Sequence, residues 1–84
     1  LRMETGSIIN KESDNMIFEV IANENSKVNI YNQYGILISN VVDKNLPLGF
    51  YKFPINFNSY PNGLYFIKFE NGNRVENYKF ILVK

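Results

Sequence analysis

The chain has 84 residues, nine Lys and Arg against eight Asp and Glu, seven Phe and six Tyr, and no His, Cys or Trp. One small domain of this size buries roughly 60–65% of its unfolded surface, and without cysteine its core rests on aromatic and aliphatic packing rather than disulfides. A net charge of +1 with scattered positive residues argues against a nucleic-acid partner, which needs clustered Lys and Arg, and no apolar run approaches the ~20 residues of a membrane-spanning helix.

The opening "LRMETGSIINKESDN" is polar apart from Ile8 and Ile9, so residues 1–15 read as a linker or one short edge strand and residues 16–84 as the domain. It also lacks the long apolar centre of a signal peptide. In "MIFEVIA", Met16, Phe18, Val20 and Ala22 share one face while Ile17 and Ile21 flank Glu19 on the other, a pattern that predicts a strand covered on most of both faces. "KVNIYNQYG" and "ILISNVV" follow as a hairpin. In "FYKFPINF", Phe53, Ile55 and Phe57 share a face, but Pro54 cannot donate a ladder hydrogen bond, which places that strand at an edge or its proline at a free position. "SYPNG" turns the chain, with Pro61 presetting φ and Gly63 free to take φ > 0. "LYFIKFE" alternates Tyr65, Ile67 and Phe69 against Phe66, Lys68 and Glu70. Asn71-Gly72 suits a tight hairpin, and "RVENYKFILVK" closes the chain. No helical period and no internal repeat is evident. The expected fold is all-β, a small immunoglobulin-like antiparallel β-sandwich of six to seven strands.

Catalytic chemistry finds little here. With no His or Cys, the usual base and nucleophile pairings and most transition-metal sites are absent. The pair Glu12 and Asp14 falls short of the dense oxygen series of a calcium loop. No enzyme activity, metal or cofactor is expected. Tyr31, Tyr34, Tyr51, Tyr60, Tyr65 and Tyr78 could build a flat sugar-binding platform, although half-buried structural tyrosines are the simpler account. Carbohydrate binding and service as an immunoglobulin-like spacer are therefore the alternative functions.

Four segments in order, "KVNIYNQYGILI", "LPLGFYKFPINF", "SYPNGLYFIKFENGN" and "NYKFILVK", resemble the C-terminal sorting domain of the type IX secretion system of Bacteroidetes, over residues 16–84. The aromatic-Asn pair and turn glycine of that family are matched by Tyr31, Asn32 and Gly35. Its Gly-x-aromatic element is matched by Gly49 and Tyr51, and its Gly-x-Tyr-aromatic strand by Asn62, Gly63, Tyr65 and Phe66. The closing Lys-aliphatic-Lys run is matched by Lys79, Ile81, Leu82, Val83 and Lys84. The Pro-Asn-Pro opening of many members has no counterpart in "IINKESDNMIFEV".

The resemblance implies a non-catalytic address that directs a cargo from the periplasm across the outer membrane to the cell surface or medium. An outer-membrane translocon and a sortase-like protease would be its partners, the protease cutting in or beside residues 1–15. On this basis Lys79, Phe80, Ile81, Leu82, Val83 and Lys84 are expected to be read by the translocon, with Phe80 and Leu82 also filling the core. An edge strand with unpaired backbone would allow a homodimer.

Overall fold

The computed structural model describes residues 7–10, 15–56 and 58–83, with side chains described from residue 17 onward. Among these, seven strands form: β1 (Ser7–Asn10), β2 (Asn15–Ala22), β3 (Asn25–Asn32), β4 (Leu37–Asn45), β5 (Gly49–Asn56), β6 (Gly63–Asn71) and β7 (Arg74–Val83). A five-stranded sheet in the order β1-β7-β6-β3-β4 faces a two-stranded sheet of β2 and β5. This is an all-β, immunoglobulin-like sandwich. All pairings are antiparallel except that of β1, which runs parallel to β7 with Ser7 opposite Phe80 and Asn10 opposite Val83.

The core follows from period-two alternation. Val28 and Ile30 of β3, Tyr65, Ile67 and Phe69 of β6, and Tyr78, Phe80 and Leu82 of β7 are buried and meet Phe18, Val20 and Ala22 of β2 and Ile55 of β5. Phe18 lies edge-on to both Phe69 (6.1 Å) and Tyr78 (5.3 Å), and Tyr65 stacks on Phe80 at 5.4 Å. Such ring pairs add about 0.5–1.5 kcal/mol each beyond their burial, which compensates for the absent disulfide.

One expectation for β2 is corrected. Ile17 and Ile21 are 48% and 65% exposed, because among the described residues no third layer covers the outer side of the two-stranded sheet, so β2 is buried on one face only. Pro54 sits opposite Ile17 in β5, which pairs with β2 alone. The missing N–H therefore falls in an edge strand, where it costs least. Phe57, expected beside Ile55, lies outside the described residues.

Turns sit where their chemistry requires. At the β3–β4 hairpin the Asn32 side-chain oxygen accepts the N–H groups of Tyr34 (2.9 Å) and Ile36 (3.1 Å), and Gly35 closes the turn at φ 79° by donating to the Asn32 carbonyl. At the β6–β7 hairpin Gly72 takes φ 61°, and among the described residues no non-glycine residue, Asn73 included, has positive φ, the type II′ arrangement with glycine first.

Candidate recognition surface

Two of the matched motif segments turn out to be one device used twice. "PLGFY" and "PNGLY" share the pattern Pro-x-Gly-x-Tyr, fourteen residues apart. In each, the tyrosine opening a strand folds back and donates its hydroxyl to the proline carbonyl four residues earlier: Tyr51 to Pro47 and Tyr65 to Pro61, both at 2.5 Å. This is the tyrosine corner of immunoglobulin-like sandwiches, here at the starts of both β5 and β6. The glycine between is part of the device. A Cβ on Gly49 would press on the Tyr51 ring at 3.3 Å, and Gly63 adopts φ 153°.

The corners differ in burial. Tyr65 is 4% exposed, between Tyr60 (5.3 Å) and Phe80, whereas Tyr51 is half-buried and stacked on Phe53 at 6.2 Å. Burial raises the Tyr65 phenol above its ordinary value of 10.0, with a further push from Tyr60. Neutral at physiological pH, it is a hydrogen-bond donor and not a base. Reading the sequence alone did not single out this short repeat, and it emerges only when both hydroxyls are seen to reach back to proline.

Gly35, Gly49, Asn32, Tyr51, Gly63 and Tyr65 thus shape turns and corners. Tyr31 and Phe66 do something else. They are directly opposite one another and point away from the core, as the cross-strand neighbours of Leu37 and Lys79 respectively. Directly paired side chains lie about 4.5–5.5 Å apart at Cβ and share a face, so Leu37, Tyr31, Phe66 and Lys79 make one row across β4, β3, β6 and β7. Leu64 opposite Ile81 makes the next. Towards the other end of the sheet the same face turns polar, through Asn29, Lys68 and Asn77 and then Lys27 and Glu70, with Lys68 and Glu70 3.9 Å apart.

The terminal strand therefore has two unlike sides. Phe80 (0%) and Leu82 (1%) are buried, while Ile81 (39%), Val83 (46%) and Lys79 are exposed at the apolar end of the outer face. Lys84 lies outside the described residues. Sequence inspection missed Leu37 and Leu64 as members of this surface, because membership depends on cross-strand register rather than on local pattern.

The six tyrosines do not assemble into a sugar platform. Tyr65 and Tyr78 are buried, Tyr60 packs half-buried against Tyr65, Tyr51 is tied to Pro47, Tyr34 projects from the β3–β4 turn, and Tyr31 lies on the outer sheet face.

Comparison with known proteins gives one fold and one family. The 1.4 Å crystal structure of an uncharacterized protein from Bacillus anthracis str. Ames superposes with a TM-score of 0.66 over 95% of this chain and 86% of that one. At 16% identity the likeness is one of fold. No curated protein matches significantly. The model of the secretion system C-terminal sorting domain matches residues 10–84, the stretch that carries both tyrosine corners, the Asn32–Gly35 turn and β7, and the chain accordingly belongs to that family, the sorting domains of type IX secretion.

Proposed function

We propose that this domain is the address that carries an attached cargo out of the periplasm, read on the outer face of β7 and its neighbours. Membership of the family makes it a sorting signal for type IX secretion, directing export to the cell surface or the extracellular space. The observation that carries the finer reading is the two-sidedness of β7. Phe80 and Leu82 fasten the strand to the core, so Lys79, Ile81 and Val83 are presented in a fixed register beside Leu64 and Phe66. A rigid strand displays alternate side chains without the ordering cost of a flexible tail. The partner is the outer-membrane translocon, and a sortase-like protease removes the domain afterwards. The cut falls in or beside residues 1–15 and outside the paired Ser7–Asn10, since proteases prefer unpaired backbone. The domain performs no catalysis of its own. Pairing of two copies through an edge strand belongs to the same proposal.

The experiment is export of a fluorescent reporter fused between a signal peptide and this domain in a type IX-competent bacterium, with the size of the released reporter measured. Reporter in the medium or on the surface, shortened by the whole domain, is the expected result. Retention of a folded fusion in the periplasm would refute the address, and export at full length would refute the cleavage.

A further inference from the structure

A second surface, away from the outer face of β7, lies at the seam between the sheets. Sheet β2-β5 is too narrow to cover the five-stranded sheet, and among the described residues the edge of β2 opposite β5 has no strand partner. A cleft of about 520 Å³ runs beside it, lined by Glu19, Ile21, Glu24, Arg74, Glu76 and Tyr78 among others.

Three carboxylates thus stand against one guanidinium. That guanidinium is already engaged, since Arg74 pairs with Glu76 at 3.2 Å while the Tyr78 hydroxyl donates to the same Glu76 carboxylate. Lys52, the cross-strand neighbour of Glu19, does not line the cleft. Among the described residues no ion pair engages Glu19 or Glu24.

The edge itself is unguarded. β2 reads "NMIFEVIA", with no proline and no lysine, the two residues that commonly blunt exposed edges. By contrast β5 carries Pro54 and Lys52, and β4 has two register irregularities against β3.

We propose that this cleft binds an extended basic segment of another polypeptide, which adds to β2 as a third strand. Main-chain hydrogen bonds to the β2 edge supply the affinity, and Lys or Arg side chains reach the carboxylates of Glu19 and Glu24, Glu76 being held by Arg74 and Tyr78. A second copy of this chain is a poor occupant, because its β2 would bring another glutamate and no cation to an acidic wall.

The test titrates the 84-residue chain with two capped hexapeptides, alternating Lys-Val and alternating Glu-Val, and follows backbone amides by NMR and hydrogen exchange. Binding of the Lys-Val peptide, with protection gained between Ile17 and Ala22, is expected. It should weaken about tenfold on going from low salt to about 0.5 M and by a similar factor in Glu19→Gln/Glu24→Gln. Glu24 is exposed and Glu19 half-buried, and the amides keep the side-chain size without setting a like charge opposite Lys52, so a melt of the double variant should stay close to the parent. Four results would each overturn the proposal: equal binding of the Glu-Val peptide, binding that leaves the β2 amides unchanged, binding that appears only after residues 1–6 are deleted, or self-association that protects β2 without any peptide. The third would give the cleft to the chain's own leading residues and the fourth to a second copy.

Discussion

Removing one hydroxyl from each tyrosine corner separates what the two corners contribute. Tyr65→Phe keeps the ring that stacks on Phe80 and deletes only the donor to the Pro61 carbonyl. An intramolecular hydrogen bond contributes about 0.5–1.5 kcal/mol net. Tyr65 is buried but Pro61 is exposed, so the abandoned carbonyl can take up water and the cost belongs mid-range, about 1 kcal/mol. For Tyr51→Phe, whose hydrogen bond to Pro47 lies at the surface, it is about 0.5 kcal/mol. In a domain of this size 1 kcal/mol moves Tm by about 4–8 °C, so the two variants should separate clearly in a thermal or urea melt.

The pH dependence gives a second reading of the same hydroxyl. The folded-state value is raised above 10.0, so the native state holds the Tyr65 proton more tightly than the unfolded chain does. This contribution is fully present below pH 10 and is lost as pH rises through the raised folded value. Tyr65→Phe should therefore flatten part of the alkaline fall in stability while leaving the neutral-pH difference intact. Equal losses for the two variants, a larger loss for Tyr51→Phe, or an unchanged alkaline limb would refute the assignment of Tyr65 as the buried corner.

Other expectations follow from burial and backbone geometry. Leu82→Ala, at a fully buried site, should cost about 3 kcal/mol, against about 1 kcal/mol for the part-exposed Ile81→Ala, measured by urea unfolding. Phe18→Ala, which loses ring contacts to both Phe69 and Tyr78, should cost about 3–5 kcal/mol. That is a large share of the roughly 4–13 kcal/mol available to a domain of this length, and the variant should be partly unfolded at 37 °C by circular dichroism. Gly35→Ala has open space for its Cβ but φ 79°, so its cost of about 1–2 kcal/mol is dihedral alone. Gly72→Ala (φ 61°) should cost at least as much, since its Cβ must also displace the Glu24 carboxylate.

Strand positions and inward faces were legible because alternation is local: Tyr65, Ile67 and Phe69, or Phe80 and Leu82, declare their side by spacing. What lies outside the core was not. Ile17 and Ile21 look as buried as Phe18 in "MIFEVIA", and only the uncovered outer side of their sheet leaves them exposed. Leu64 and Leu37 join the outer surface through partners distant in sequence, Ile81 and Tyr31, and no local pattern encodes that register. The Pro-x-Gly-x-Tyr repeat escaped the sequence reading, because its sense lies in two hydroxyls turned back on two carbonyls, which is a property of the folded corner. The parallel pairing of Ser7–Asn10 with β7 had even less signal, since four residues of β1 carry only Ile8 and Ile9 as apolar content.

The most direct test of the central claim is export of the reporter fusion carrying Lys79→Glu, Ile81→Asp and Val83→Asp together, alongside a melt of the isolated variant domain. These residues all lie on the exposed side of β7, so the domain should remain folded while the reporter stays in the periplasm. Normal export of the folded triple variant would contradict the account and move the address away from the outer face of β7.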